Sequence, residues 1–375
     1  MTETFKVFAY DLNTNTLLTE LPVNNLTYDN RLGDAGACSF DLNLRSPAVQ
    51  KVVSPVLAYD GSPFAVYIDR NGQISWGGIV LTGNYSSSTG VLSCGGKEFL
   101  SYFDQRVTAA PYTVTEYPSG IDPAALIGKA INDAQSVTLC GAGASIGINV
   151  TGATSGLPLM IPGYPKTQYT IVSRLIADML AISVPGYGGL DLTQVSQWVN
   201  NNPTNTFVIS SPRAGRAAGN TGLIFDLDSV INYDWPTDAV GAGNTIIATG
   251  SGTGAAMPTA IVNAPGVPIG GLGQSPRFDK VLSFQSAQSQ QQIAAAASGA
   301  AQTYGKPIVT PKLTVLTNGN LGTWAMGDDA RIRSVGNERF PAGKDQYWRI
   351  VQQTVIVPDA GAATVALTFN APPTY

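Results

Sequence analysis

Three pairs of carboxylates stand close enough along the chain to suggest acid–base chemistry: Glu98 with Asp104, Asp226 with Asp228, and Asp328 with Asp329. Two carboxylates flanking a glycosidic bond can hydrolyse it without histidine, one as acid and the other as base or nucleophile. Asp226 and Asp228 would share one face of a strand, where side chains repeat every second residue. Spacing alone sets none of the pairs across a sugar, and turn or loop roles explain each equally well. Histidine is absent from the chain. That removes Ser-His-Asp and Cys-His nucleophiles, His general bases and His-ligated metals in one step.

The remaining motifs fall short in identifiable ways. Cys38, Cys94 and Cys140 have no C-x-x-C spacing, so they read as reduced, mostly buried thiols and not as zinc ligands. Asp11-x-Asn13-x-Asn15 opens like a calcium loop, but Thr16 stands where glycine is needed and Pro22 where glutamate is needed, which leaves a β-turn. Gly250-Ser-Gly252-Thr-Gly254 follows a strand pattern yet runs into Met257-Pro258; no helix N-terminus follows to hold a phosphate. Trp76, Trp198, Trp235, Trp324 and Trp348 are dispersed, which favours core or interface packing over a sugar platform. No catalytic, cofactor-binding or metal-ligating residue is assigned, and the chain is not expected to be an enzyme.

The elements that would position any site are mostly strands. The first hundred residues alternate at Phe5 to Tyr10, Asn25 to Leu32 and Cys38 to Leu44, and Phe64 to Ile68 is a further strand-like run. Phe64 to Ile68 meets Gln73 to Trp76 through Asn71-Gly72, the strongest short hairpin signal. Strands this short and evenly spaced predict a small closed or half-closed barrel. After Arg106 the pattern changes. A helix is predicted from Pro123 to Ala134 with Asp122 as N-cap, a second from Thr167 to Ile182, and a third from Asp191 to Asn201 that stops at Asn202-Pro203. Gly141 to Gly156 reads as loop or weak hairpin. Strand patterns resume at Phe207 to Ile209, Leu223 to Phe225, Val230 to Trp235 and Asn244 to Ala248, followed by proline-rich loops to about Pro276. Ser286 to Tyr304 is alanine-rich and helical by propensity, and its lack of charge implies that much of it is covered. Lys312 to Leu316, Ala330 to Arg333, Tyr347 to Val357 and Ala363 to Phe369 complete the strands.

Composition fits a loop-rich β protein. At 375 residues the chain exceeds the roughly 250–300 at which single cores stop growing, so two or three modules are expected. Charged residues are 12% of the chain, about half the usual share. A hydrophobic fraction of 44% still supplies ample core. A formal net charge of −4 gives no basic footprint for nucleic acid. No apolar run approaches the roughly 20 residues of a membrane span, and the N-terminus is strand-like and not secretory. A soluble chain made in a cytosol is expected.

The order of parts resembles the tail-hub, or minor tail, proteins of long-tailed bacteriophages, particularly the tail tips of siphophages that infect actinobacteria. Val7 to Leu12, then Tyr28-Asp29-Asn30-Arg31-Leu32-Gly33-Asp34-Ala35-Gly36 leading into Phe40-Asp41-Leu42, looks like that family's entry to its first barrel. Gly72 to Val80, with Trp76-Gly77-Gly78, is similar to its hairpin. Met326-Gly327-Asp328-Asp329-Ala330-Arg331-Ile332-Arg333 resembles its later strand entry, ahead of Tyr347 to Val351 and Thr364 to Phe369. The match covers both ends and about two thirds of the chain; residues 109–220 are not matched.

The resemblance implies a mainly β fold with a helical insertion (α+β). A first β-barrel spans 1–108, an α-rich lobe 109–220, linking strands and loops 221–285, and a helix with a second barrel 286–375. It implies a homotrimeric baseplate hub at the virion tail tip, assembled in the host cytoplasm. Such a hub closes the tail tube, contacts the distal tail protein ring, the tape measure protein and a central fibre or spike, and meets DNA only as it passes through the lumen. Two similar barrels in each of three chains would match a six-fold tube. Few charges would leave weakly polar faces for burial between subunits, and slight acidity would let DNA pass without being held. Tyr375 lies about where the hub region ends, so no appended wall-degrading domain is expected. The alternatives are a tail-associated wall-degrading enzyme and a receptor- or glycan-binding tail module.

Overall fold

The computed structural model describes residues 3–58, 62–152, 154–182, 184, 188–265, 269, 275–284, 289–305 and 307–372. The first strands follow the alternation of the sequence: β1 (Phe5–Tyr10), β2 (Leu17–Leu21), β3 (Asn24–Arg31), β4 (Ala37–Asn43), β5 (Phe64–Arg70), β6 (Gln73–Ser86) and β7 (Val91–Glu98). Asn71 and Gly72 turn the β5–β6 hairpin with φ of 55° and 88°, the pair of left-handed residues that a tight hairpin with right-twisted strands demands. Helix α1 (Pro47–Leu57) lies between β4 and β5, with Pro47 in its first turn and Val53 and Val56 buried. The sequence reading assigned nothing there.

The middle of the chain is mixed. Helix α2 (Pro123–Gln135) starts where the proline and cap predict, the Asp122 carboxylate accepting from the Ala124 N–H at 2.8 Å. A short α3 (Val137–Cys140) follows. The stretch 141–156, expected as loop or weak hairpin, contains one strand, β8 (Ile148–Thr151), which pairs in parallel with a later strand and not in a hairpin. Helix α4 (Val172–Leu180) is shorter than its apolar pattern: Tyr169 takes a left-handed conformation (φ 48°), and the helix begins only after Ile171.

The helix predicted for Asp191 to Asn201 is a strand, β9 (Asp191–Val199), hairpinned to β10 (Asn202–Ser210) in register from Val199↔Asn202 to Asp191↔Ser210. Two features override the helical reading. Thr193, Val195 and Val199 are β-branched and favour a pleated surface. Asn200 and Asn201 have φ of 51° and 62°, so they form a reversing turn and do not cap a helix. Pro203 starts a strand, opposite Trp198.

The last part of the chain adds β11 (Ile224–Asp226), β12 (Asn232–Asp234), β13 (Thr237–Asp238), β14 (Thr245–Thr249), β15 (Thr259–Asn263), β16 (Asp279–Ser283), α5 (Gln290–Tyr304), β17 (Ile308–Val309), β18 (Lys312–Leu316), β19 (Asp329–Ser334), β20 (Lys344–Val357) and β21 (Thr364–Asn370). Helix α5 opens with a capping box between Ser289 and Gln292. It lays Ile293, Ala297, Ala300 and Ala301 over the sheet β15-β14-β16, burying the small face that the missing charges anticipated. The part of this predicted helix at 286–288, the proline-rich stretches at 266–268 and 270–274, and the tail Pro373-Thr374-Tyr375 lie outside the described residues.

The two ends of the chain are one sheet. Its path runs β12-β18-β21-β20-β3-β4-β7-β6-β5-β1-β2, with β11 and β19 attached beside β20. The join is β20 against β3, from Gln352↔Arg31 to Val357↔Leu26. A common core fills one side, with Tyr28, Phe40, Val66 and Trp76 from early strands and Ile332, Ile350, Val355 and Phe369 from late ones. A second core packs Tyr67, Phe99 and Phe103 against α2, α4, β9 and β10. The fold is mainly β.

Candidate functional site: two polar seams and an aromatic cluster

The adjacent carboxylates Asp328 and Asp329 lead into β19 and are almost fully buried. Asp328 accepts from the main-chain N–H groups of Arg216 (2.6 Å) and Ala325 (2.9 Å) and pairs with the Arg216 guanidinium at 2.5 Å. Burial works to raise its pKa, but the Arg216 side chain and these two N–H groups hold it below the ordinary carboxylate range. Asp329 takes a bidentate pair from Arg213 (2.9 and 2.6 Å) and the Ala218 N–H (2.8 Å). Arg349 pairs with Asp191 and donates to the Ala214 carbonyl at 2.9 Å. These three ion pairs bind the start of β9 and residues 213–218 to the strands of the far end. The backbones cross closely there: a Cβ on Gly215, whose φ is +74°, would lie 2.1 Å from the Gly327 carbonyl carbon. Each of the two aspartates is held by its own guanidinium group. The pair is a structural clamp and lacks the acid–base division of a glycosidase.

Glu98 and Asp104 are not a pair either. Asp104 is exposed on the 3₁₀ turn after β7, whereas Glu98 is buried. Glu98 accepts from the Gly36 N–H (2.7 Å) and the Asn30 amide (2.8 Å). Burial pushes its pKa up to about 8 against the pull of those hydrogen bonds. Its amide partner belongs to a chain that crosses the β20–β3 join: Trp324 donates to Gln353 (2.9 Å), Gln353 to Asn30 (2.9 Å), and Asn30 to Glu98. Beside it lies a polar cleft of about 180 Å³ lined by Asn30, Trp76, Glu98, Gln194 and Gln353. Asp29 closes the seam, accepting from Arg31 and Gln352 at 2.9 Å each. Asp226 meets Arg333 at 3.2 Å and accepts from the Asp228 N–H, a turn role.

The remaining motifs also resolve into local structure. The Asp11 carboxylate accepts from the Asn13 and Thr14 N–H groups at 3.0 and 2.7 Å, turning the loop before β2. Gly254 begins a three-residue 3₁₀ turn and no longer helix. Cys38 and Cys94 are buried and Cys140 is half-buried, all as free thiols; burial raises the Cys38 and Cys94 pKa, the latter to about 11. Among the described residues, no three metal-ligating side chains converge. Two tryptophans that are distant in sequence do meet. Trp235 packs edge-on against Trp348 (5.3 Å) and Phe340 (4.9 Å), with the Lys344 ammonium 5.5 Å from the Trp235 ring.

No protein-family model matches the chain, and no curated protein matches it. Solved structures do. A 43 kDa tail protein of prophage MuSo2 from Shewanella oneidensis superposes with a TM-score of 0.59 at 13% identity, covering 99% of both chains. A tail protein from Neisseria meningitidis gives 0.56 at 13% identity over 99% of this chain and 97% of that one. Prophage tail protein gp18 of Listeria monocytogenes gives 0.53 at 11% identity over 98% and 95%. This chain has the fold of phage tail proteins. The same tail-protein fold matches a chain of the Francisella PdpA–VgrG complex (TM-score 0.52, 8% identity), covering all of this chain and 59% of that one.

Within this tail-protein fold the sequence reading identified Asp328, Asp329 and Glu98 but not their partners. Arg213 and Arg216, three apart, and the neighbouring Asp328 and Asp329 form a complementary pattern that could have been noticed. Nothing local connects Asp191 to Arg349 across 158 residues.

Proposed function

We propose that the chain is a structural component of a bacteriophage tail tip, a homotrimeric baseplate hub. In this reading residues 1–108 and 286–375 are the two barrel-type tube domains, 109–220 the α-rich lobe and 221–285 the linking strands and loops. Three chains close the tail tube, join the distal tail ring, tape measure protein and central fibre or spike, and leave a channel for DNA. The observation that carries the reading is the end-to-end match to three tail proteins, two of them prophage tail proteins, with the β20–β3 join fusing both ends into one sheet. The surface adds support. Ile261 and Val281 flank Ile247 across the face of the β15-β14-β16 sheet opposite α5, each more than 60% exposed, the kind of apolar area that assembly covers. The ion-paired carboxylates favour this structural role over a wall-degrading one.

The test is the mass of the purified protein by light scattering, with negative-stain images. Rings of three-fold symmetry at three times the chain mass are expected. A protein that stays monomeric, alone and when mixed with a distal tail ring, would overturn the trimeric hub.

A further inference from the structure

Among the described residues, strand β20 has a partner on both sides over one half only. From Gln352 to Ile356 it lies between β3 and β21, whereas Lys344 to Trp348 pair with β19 alone. The Ile350 N–H donates to the Asp328 carbonyl (2.9 Å) and the Gly327 N–H to the Ile350 carbonyl (2.9 Å). By the two-residue alternation of an antiparallel ladder, Trp348, Gln346 and Lys344 also turn their main-chain groups to β19, and Asp345 and Tyr347 turn theirs away. Strand β21 would cover that second side, but its last pair is Asn370 opposite Arg349. Pro372, two residues on, has no N–H to continue the ladder. In line with β21 there is an open cleft of about 450 Å³, with Lys344, Gln346, Tyr347 and Trp348 on one wall and Trp235 and Val309 on the other.

The cleft has three unmet demands. Its strand edge has no partner among the described residues. Lys344 lies over the Trp235 and Phe340 rings and Arg339 over Phe340, and neither cation forms an ion pair among the described residues, while the nearby Asp345 carboxylate is already paired with Arg331. The buried indole N–H of Trp348 has no acceptor among the described residues. A sugar would stack on the rings but leave the strand edge open. An extended peptide carrying acidic and apolar residues meets the first two, supplying main-chain groups to Tyr347 and a carboxylate to the cations, and it lays an apolar side chain on the aromatic wall.

We propose that this cleft receives an extended acidic segment of another polypeptide, added as a strand along Asp345 to Trp348. The inference does not depend on the trimeric reading above. It is tested with the full chain and a fluorescein-labelled hexapeptide, Thr-Val-Glu-Val-Glu-Val, by fluorescence anisotropy. Saturable binding below about 1 mM is expected. Replacing both glutamates with lysine, or N-methylating alternate peptide nitrogens, should weaken it at least about tenfold. Lys344→Gln should weaken it similarly without changing the thermal unfolding of the protein. Absent saturation, equal binding of the acidic and basic peptides, undiminished binding of the N-methylated peptide, or binding of polygalacturonate in place of peptide would each overturn the proposal.

Discussion

Replacing Arg213 with methionine tests whether the seam at β19 is a clamp. Asp329 is 1% exposed, so solvent cannot rescue its charge. The substitution removes the two hydrogen bonds of 2.9 and 2.6 Å to Asp329, together with those to the Gly327 and Ala214 carbonyls, and leaves the Ala218 N–H as a donor to that carboxylate. Uncovering one member of a buried ion pair costs about 3–5 kcal/mol. With an unfolding entropy of about 2.1 cal/mol/K per residue over the whole chain, that loss lowers Tm by roughly 4–6 °C. The double variant Arg213→Met with Asp329→Leu should recover most of the loss, because no charge is then left buried. Calorimetry on the three proteins at pH 7, in low and in 0.5 M salt, reads the effect. Salt should change it little, since the pair is out of reach of screening. A single variant within about 0.5 kcal/mol of the parent would refute the argument, as would a double variant no better than the single.

Two further tests address the other seam and the reassigned hairpin. Glu98 has a folded pKa of about 8, above its unfolded value near 4.3. Between these values the folded state holds a proton that the unfolded chain has released, so the Glu98 contribution to stability is full below about pH 4 and is lost as pH rises to about 8. Urea unfolding at pH 5, 7 and 9 should show that decline, and Glu98→Gln, whatever its constant offset, should flatten it. Asn201→Val forces a β-branched residue to φ 62° and should cost about 1–2 kcal/mol. Asn201→Gly should stay within about 0.5 kcal/mol of the parent. Equal stability of these two hairpin variants in urea would contradict the turn.

Local chemistry made much of the fold legible in advance. Asn71-Gly72 fixed a hairpin, Asp122-Pro123 a helix start and the apolar run of Phe64 to Ile68 a buried strand, because each signal acts within a few residues. The errors arose where a local signal had two readings. Leu192, Val195 and Trp198 are spaced as on a helix face, yet they lie in a strand whose pairing with β10 was set by the two asparagines after it. Helix α1 is short, begins after Ser46-Pro47 and contains Pro55, and it is held by burial of Val53 and Val56 against the main core. The meeting of Trp235 with Trp348 was invisible for a different reason. Both are dispersed in sequence, and the late strands of the large sheet bring them together.

The scarcity of charge, read from composition as a sign of covered surfaces, has a second aspect. Several of the charges the chain does have are not spent on solvation: Asp29, Glu98, Asp328, Asp329 and Arg349 are buried. They sit at two joints, β20 against β3 and residues 191–218 against β19 and β20. An apolar contact at either joint would hold the parts together through area alone and could slide, since burial of apolar surface has no direction. A bidentate guanidinium–carboxylate pair fixes angle as well as distance. Such pairs contribute little net stability over a hydrophobic replacement, so their concentration where residues 191–218 meet β19 and β20 is better explained by geometry than by strength. In the trimeric ring proposed above, each chain would present the same faces to identical neighbours and would need its parts held at set angles. Loss of the Arg213 clamp should therefore broaden the distribution of particle shapes in negative stain, beyond its effect on Tm. A clamp variant that lost stability but assembled with unchanged shape would separate the two roles and leave the seam a matter of stability alone.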